Sequence, residues 1–323
     1  MKHSGARPAA AFALLILLAA WSAEAQTLAV FTKSSGNPVA RGTRAGAAAM
    51  AKVHGASIVH FIPTSADNVG EQAGLVEEAI KSKPDAIVLV PVDVAAMVPS
   101  AHKINAAAIP LVNVGDRLTG GDAVAFVGTD DYGIARDTAR TLLKAMGGKG
   151  NVVVLEGPEN IPSALGRLRG FKDALKEFPD VKVVLSKSAL YTRPAASDLL
   201  KSLLRANPAP QIDGVLAAND AMAFGAIEAF KQAKQKVPPV VGINAGKEAI
   251  DLIKSGEMLA SGDFSGFVEG CLGVEIAVRA LKNSPVPKEV MVRTEVVDKT
   301  NYQTYEVPLD QRRCPTLESM TVK

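Results

Sequence analysis

The feature that most limits the fold of this chain is a regular alternation of short apolar runs with helical patterns. From Gln26 onward, runs such as TLAVFT, SIVHFIP, AIVLVP and IPLVNVG are separated by helical segments. The runs are nearly continuous in Val, Ile and Leu, as expected for parallel strands that are covered on both faces. Parallel strands joined by helices need right-handed βαβ crossovers. The alternation therefore predicts an α/β fold with parallel sheets.

The alternation occurs in two halves. The Gly-dense segment MGGKGN interrupts it at residues 146–151, and a second series of strands and helices follows. Because a chain of 323 residues exceeds what one hydrophobic core usually supports, two domains are expected. Hydrophobic residues make up 48% of the chain, which is enough for two cores.

The first 25 residues have the pattern of a secretory signal peptide. Lys2 and Arg7 precede the apolar run AAAFALLILLAAW, and the small-residue segment AEA precedes Gln26. This apolar run is too short for a membrane span. The pattern predicts cleavage and export of a soluble protein to the periplasm, with an uncleaved anchor as the alternative. No Cys stands at the cleavage site, which argues against a lipoprotein.

Charge and cysteine content limit the partners and the redox state. Without residues 1–25, which hold two basic residues and one acidic residue, the net charge falls from +3 to +2, and no basic block indicates a nucleic-acid partner. Cys271 and Cys314 are the only cysteines, in a compartment that permits disulfides. They form either a bridge or two free thiols. No Cys/His cluster indicates structural zinc.

Polar residues recur where the predicted strands end. In open parallel sheets, ligands bind outside the carboxyl ends of the strands. Two such sheets facing each other would bring these residues to one shared cleft. The residues are Thr32, Lys33, Asn37, Gly115, Asp116, Arg117, Asn219, Asp220, Asn244, Asp263 and Phe264.

Each of these residues also has an ordinary structural explanation. Asn219 or Asp220 could cap the helix that follows, because Asn and Asp are favoured N-caps. Asn244 begins a common turn sequence. Asp116 and Arg117 could form a surface ion pair. The recurrence of polar residues at the same position in both halves favours the ligand cleft.

Catalytic motifs are missing from the sequence. It contains no G-x-S-x-G elbow, P-loop, H-E-x-x-H or strand-linked G-x-G-x-x-G motif. His54 and His102 fall on predicted helices, and no two acids stand out as an acid/base pair. We therefore expect no enzyme activity, no metal site and no cofactor.

An ordered series of segments resembles the type I periplasmic solute-binding proteins of ABC transporters, in the ribose/galactose-binding cluster. The segments are SSGNPVARGTRAGAAAMAKVHG, KPDAIVLVPVD, INAAAIPLVNVGDR, GTDDYGIAR, SALGRLRGF, GVLAANDAMAFGAIEAF, VVGINAG and LASGDFSGFVEG. The resemblance covers nearly all of residues 27–300. It implies two Rossmann-like lobes with parallel sheets, joined by a three-strand hinge.

The resemblance also implies the domain boundaries. The first lobe would comprise residues 27–128 and 264–294, and the second would comprise residues 129–263 and 295–323. A ligand between the lobes would hold them closed, and the closed monomer would dock on a membrane permease.

By the resemblance, Asn37, Asp116, Arg117 and Asn219 contact the ligand. Further candidates are Lys33, Ser34, Arg167, Asn244, Asp263 and Phe264. Asn, Asp and Arg suit a ligand with many hydroxyl groups, because they offer donors, bidentate acceptors and a planar fork.

Ribose itself is not implied, because the chain departs from the ribose-binding pattern. Val39 and Ala40 stand where two stacking aromatics are expected, and Asn244 stands in place of an aspartate. A contact arginine falls on Leu165, which leaves Arg167 as the nearer match. With Lys33, Arg41 and Arg117 nearby, these changes favour a polyol or sugar acid.

The predicted function is therefore the substrate-binding component of an ABC importer for a small sugar or sugar-like ligand. The alternatives are a binding protein that serves a chemoreceptor or sensor kinase, and a secreted α/β enzyme.

Overall fold

A computed structural model describes residues 25–320 of the chain, apart from residues 207 and 209. Residues 1–24 of the predicted signal peptide lie outside the described part.

The first lobe is built from alternating strands and helices before residue 130. Its sheet lies between α1 (Pro38–His54) and the later helix α9 (Gly266–Leu281) on one face and α2 (Val69–Ser82) and α3 (Val98–Ala106) on the other. In chain order the elements are β1 Thr27–Phe31, α1 Pro38–His54, β2 Ser57–Phe61, α2 Val69–Ser82, β3 Ala86–Leu89, α3 Val98–Ala106, β4 Leu111–Val114 and β5 Ala125–Thr129.

The second lobe repeats this organisation around its own core. Its elements are α4 Asp131–Ala145, β6 Lys149–Glu156, α5 Pro162–Lys176, β7 Asp180–Ser188, α6 Arg193–Leu204, β8 Gly214–Ala217, α7 Asp220–Gln232, β9 Val240–Ile243, α8 Lys247–Ser255 and β10 Ala260–Gly262. The chain then returns to the first lobe with α9 Gly266–Leu281 and β11 Glu289–Val292, and re-enters the second sheet with β12 Val296–Asp298.

Each lobe holds one six-stranded sheet, in the order β11-β5-β4-β3-β1-β2 and β12-β10-β9-β8-β6-β7. All pairs are parallel except β10 with β12, which is antiparallel. The predicted α/β class with two parallel-sheet lobes is confirmed, with this one exception at the edge of the second sheet. Within the described residues, no helix has the length and hydrophobicity that a membrane span requires.

Three segments cross between the sheets. The first joins β5 to α4, the second joins β10 to α9, and the third joins β11 to β12. The sequence VMVRTEVVD has the pattern of a single strand, but the structure divides it between the two sheets. Both sheets therefore end in a strand from this segment.

The tail after β12 does not follow the predicted division, which assigned residues 295–323 to the second lobe. The short 3₁₀ helix Tyr302–Tyr305 packs on the second-lobe core, but Leu309, Cys314 and Leu317 pack with the first-lobe core. A disulfide between Cys271 of α9 and Cys314 holds the tail there, with a Cα–Cα distance of 5.6 Å. Of the two sequence alternatives for these cysteines, the structure has the bridge.

Helices α1 and α9 touch backbone to backbone through two glycines. A Cβ atom on Gly46 would lie 1.9 Å from the carbonyl oxygen of Phe267, and one on Gly270 would lie 2.0 Å from the carbonyl oxygen of Thr43. Any larger residue at either position would force the helices apart, because the interface between them is close-packed and has no free volume.

Candidate functional site

The carboxyl ends of the strands of both lobes face a cavity of about 270 Å³ between them. This volume lies just below the ~300–1,000 Å³ of sites for drug-sized molecules, so it suits a small ligand. Seven of the ten predicted ligand-binding residues line it: Lys33, Asn37, Asp116, Arg167, Asn219, Asn244 and Phe264.

An ion pair from the first lobe forms one wall of the cavity. Lys33 Nζ lies 2.7 Å from Asp116 Oδ2, and both side chains are partly buried. Lys33 follows β1 and Asp116 follows β4, so the parallel sheet brings residues 83 positions apart together. The second carboxylate oxygen of Asp116 has no protein partner among the described residues, and it can accept a hydrogen bond from a ligand.

A buried arginine from the second lobe forms the opposite wall. Arg167, which is 5% exposed, donates from Nε to Asp131 Oδ1 at 2.7 Å and from Nη1 to the carbonyl of Ala218 at 2.7 Å. Its guanidinium carbon lies 4.9 Å from the ring centroid of Phe264 and 5.7 Å from that of Tyr191. These contacts fix the planar fork, so the remaining donors can meet a ligand without loss of side-chain entropy.

Two predicted ligand contacts also cap helices. Asn37 accepts hydrogen bonds from the amides of Val39 and Ala40 at the start of α1. Asn219 accepts from the amide of Met222 at the start of α7 and donates to the carbonyl of Tyr191 at 3.0 Å. The capping alternative for Asn219 is therefore correct, and capping fixes the orientation of a side chain that also lines the cavity.

The neighbouring Asp220 does not line the cavity but supports the loop that does. Its carboxylate accepts from the Ser261 hydroxyl at 2.6 Å and from the Gly246 amide at 3.3 Å. These bonds hold a loop in which Asn244 and Ala245 have φ angles of 141° and 48°, which are strained for residues other than glycine. Asp220 thus positions Asn244.

We expect Asp220→Ala to lower the free energy of unfolding by about 1–3 kcal/mol, because Ser261 and Gly246 lose a buried partner.

Burial raises the pKa of Asp220 from 3.8 to about 6, so the folded protein holds a proton that the unfolded chain releases between these values. The stability of the wild type relative to Asp220→Asn should therefore fall as the pH rises from 3.8 to about 6. Urea unfolding at several pH values measures this; a difference that does not vary with pH would contradict it.

Arg117, which the sequence predicts as a ligand contact, does not line the cavity. It pairs with Glu289 of β11 at 2.8 Å, and its guanidinium carbon lies 3.9 Å from the ring centroid of Phe126. The side chain is 51% exposed. Arg117 and its neighbour Asp116 extend to different sides of the loop, so only Asp116 reaches the cavity.

Ser34 and Asp263 are also outside the cavity lining. Ser34 shapes the loop before α1: its hydroxyl accepts from the Asn37 amide at 3.3 Å and its carbonyl accepts from Arg44 at 2.8 Å. Asp263 accepts from the amide and hydroxyl of Ser265, both at 2.6 Å, and from the Tyr305 hydroxyl at 3.1 Å. Its carboxylate organises the second crossing rather than the cavity.

Sequence reasoning missed several residues at the cavity. Ser163, Tyr191, Thr192 and Glu269 line it, and Asp131 lies behind Arg167. The acidic residue in the otherwise apolar stretch GFVEGCLGV was a signal for Glu269. Tyr191 and Thr192 follow the carboxyl end of β7, so the strand-end rule also selects them, but the sequence reasoning did not include that strand end.

The profile of the periplasmic binding protein domain matches residues 28–285, which is most of the chain. The chain belongs to the periplasmic binding protein family. Members of this family are substrate-binding proteins rather than enzymes. As a periplasmic binding protein, the chain has the two-lobed architecture that its resemblance implied.

Two characterised relatives bind small polyols or sugars. The chain is 31% identical to a xylitol-binding protein of Mycolicibacterium smegmatis, over 76% of this chain and 70% of that protein. It is 29% identical to a D-apiose import binding protein of Paraburkholderia graminis, over 90% and 94% of the two chains.

Solved structures show the same fold. An ABC transporter periplasmic solute-binding protein of Actinobacillus succinogenes with bound D-allose superposes with a TM-score of 0.82 at 30% identity, covering 87% of this chain and 100% of that one. A solute-binding protein of Bacillus halodurans with bound myo-inositol has a TM-score of 0.78 at 26% identity, covering 87% and 97%.

Proposed function

We propose that this periplasmic binding protein is the substrate-binding component of an ABC importer and that it holds a small, uncharged sugar or polyol between its lobes. The observation that carries the proposal is the cavity itself, where polar side chains from both lobes surround a volume of sugar size. The xylitol, D-apiose, D-allose and myo-inositol of the relatives and neighbours support this ligand class.

The charges at the cavity favour an uncharged ligand over a sugar acid. Each of its two cations already has a carboxylate partner, Lys33 with Asp116 and Arg167 with Asp131. A ligand carboxylate would have to share these cations with the protein carboxylates and would be repelled by them. Hydroxyl groups face no such conflict, because they can donate to the carboxylates and accept from the cations.

A thermal-shift screen of the ligand-stripped protein tests the proposal. The panel contains D-ribose, D-allose, D-apiose, xylitol, myo-inositol and two sugar acids, D-gluconate and D-galacturonate. At a hundredfold excess over its Kd, a ligand should add about 2.7 kcal/mol of stability, which is a shift of a few degrees in Tm. Stabilisation by a neutral compound supports the proposal, whereas stabilisation by the acids alone would contradict it.

Asp116 should be required for binding but not for folding. We expect Asp116→Ala to weaken binding of the neutral hit by about 10- to 100-fold, because a charge-assisted hydrogen bond is lost. The free energy of unfolding should change by no more than about 1 kcal/mol, since the ion pair with Lys33 is partly solvated. Isothermal titration and urea unfolding measure the two effects.

The adjacent Arg117→Ala variant is the matched control, because Arg117 lies outside the cavity lining. Its affinity should equal that of the wild type. If both variants lose binding equally, the assignment of the cavity as the ligand site is wrong.

The remaining parts of the proposal concern the cell. We propose that the protein is exported to the periplasm after cleavage behind Ala25 and that its ligand-bound form docks on a permease. N-terminal sequencing of protein from the periplasmic fraction tests the cleavage, and uptake of the hit compound in a deletion strain tests delivery. Normal uptake in the deletion strain would exclude the import role.

A further inference from the structure

Glu269 is a buried acid at the point where the hinge meets the cavity. It lies in the first turn of α9, is 1% exposed and lines the cavity. Its Oε1 atom lies 3.0 Å from the hydroxyl of Thr129, the last residue of β5. Among the described residues, Oε2 has no protein hydrogen-bond partner.

If Glu269 is ionised, the single hydroxyl hydrogen of Thr129 has to serve two acceptors. The Thr129 hydroxyl lies 2.9 Å from the carbonyl oxygen of Phe264 and 3.0 Å from Glu269 Oε1. A hydroxyl carries a single hydrogen, so it can donate to only one of these two acceptors. Both contacts become hydrogen bonds if Glu269 carries a proton and donates it to Thr129, which then donates to Phe264.

This chain connects three parts of the hinge. Thr129 begins the first crossing, Phe264 belongs to the second, and Glu269 belongs to the helix that follows it. If Glu269 were ionised, Thr129 would leave either the carboxylate or the Phe264 carbonyl without a hydrogen. Such an unsatisfied buried group is costly.

The charges around Glu269 also favour its protonated form. Burial raises its pKa well above the usual value of 4.5, and the carboxylates of Asp131, Asp116 and Asp263 raise it further, against the Thr129 hydrogen bond. The cavity cations do not offset this, because Lys33 and Arg167 are paired with Asp116 and Asp131. The helix N-terminus favours a carboxylate, but this effect is small beside burial.

We propose that Glu269 is a neutral carboxylic acid that links the two hinge crossings through Thr129. We also propose that its Oε2 atom accepts a hydrogen bond from a hydroxyl group of the ligand. The second part rests on the proposed binding of a sugar or polyol. Glu269 is then a specificity-determining residue: its Oε2 atom selects a ligand with a hydroxyl group at this position, and loss of its proton breaks the hydrogen-bond chain at the hinge.

The protonation state can be measured without any ligand. Infrared spectra of the ligand-free protein at neutral pH should contain the carbonyl band of a protonated carboxyl group. Glu269→Gln should remove this band, because an amide replaces the acid. Glu275→Gln is the matched control: Glu275 is buried in the same helix but pairs with His54 and Arg279, which lower its pKa despite burial, so the band should persist.

The recognition role is tested by titration with D-ribose, D-allose, xylitol and myo-inositol. Glu269→Ala removes the acceptor, so it should bind at least about tenfold more weakly than the wild type at neutral pH. The Gln side chain reproduces the donor and acceptor of a neutral acid, so Glu269→Gln should restore the affinity to within about threefold of the wild type. Above the pKa of Glu269, wild-type affinity should fall by up to about tenfold per pH unit, whereas the affinity of Glu269→Gln should not change with pH.

Three outcomes would overturn the inference. An unchanged infrared spectrum in Glu269→Gln would show that Glu269 is ionised. A loss of more than about tenfold in the affinity of Glu269→Gln at neutral pH would show that the charge of Glu269 is needed. An equal pH dependence in both proteins would place the titration elsewhere. If none of the four compounds binds the wild type, the proposed function fails for them together with the recognition role, while the band still decides the protonation state.

Discussion

Replacing Arg167 with methionine is expected to lower the free energy of unfolding by about 3–5 kcal/mol and to abolish ligand binding. The variant removes the ion partner of Asp131 and a donor to the Ala218 carbonyl, both in the interior of the second lobe. Burial already raises the pKa of Asp131 against the opposing effect of Arg167. Without the arginine, Asp131 must either remain a lone buried charge or take up a proton.

A double variant separates the two roles of Arg167. In Arg167→Met/Asp131→Asn no unpaired charge remains, so much of the lost stability should return, but binding should not. Urea unfolding followed by circular dichroism and isothermal titration measure the two quantities. Arg169→Met is the control, because Arg169 is exposed on the same helix, with its guanidinium over Tyr132. If the double variant is no more stable than the single one, the Asp131 charge is not the cause of the destabilisation.

The second large effect is expected from the disulfide. The Cys271→Ser/Cys314→Ser variant should lose about 4 kcal/mol of unfolding free energy, because a bridge over a sequence separation of 43 restricts the unfolded chain. Affinity should remain as in the wild type at temperatures where the variant is folded, since no residue of the tail up to residue 320, where the described part ends, lines the cavity.

Reduction of the wild-type protein provides an independent test of the same bridge. Differential scanning calorimetry in the presence of a thiol reductant should give the Tm of the double-serine variant. A wild-type Tm that does not respond to the reductant, with both thiols shown to be reduced, would mean that the bridge does not stabilise the fold.

Much of the architecture follows from the order of apolar runs and helical patterns. The α/β class and the duplicated lobes depend on main-chain periodicity, which the sequence displays directly. Most candidate cavity residues were found by the rule that parallel strands present their carboxyl ends at one edge. That rule selects positions and gives no side-chain direction, so it could not separate Asp116 from Arg117 or Phe264 from Asp263.

Other features depend on contacts between distant segments. The pairing of Arg167 with Asp131 joins two helices, and the return of the tail to the first lobe depends on the path of the chain after β12. The apolar run at residues 290–298 divides between two sheets because the chain crosses the hinge within it. No local pattern marks such a crossing.

The close contact of α1 with α9 has a consequence for how the lobes move. Because Gly46 and Gly270 leave no gap between the two backbones, neither helix can slide along the other. Asn37 at the start of α1 and Glu269 at the start of α9 therefore belong to one rigid body. If the lobes open about the hinge crossings, the distance from these two residues to Arg167 changes, whereas the distance between them does not. Under the proposed function, a ligand that contacts only the first lobe would meet these two groups at a fixed separation, so its size would be selected before the second lobe contributes Arg167.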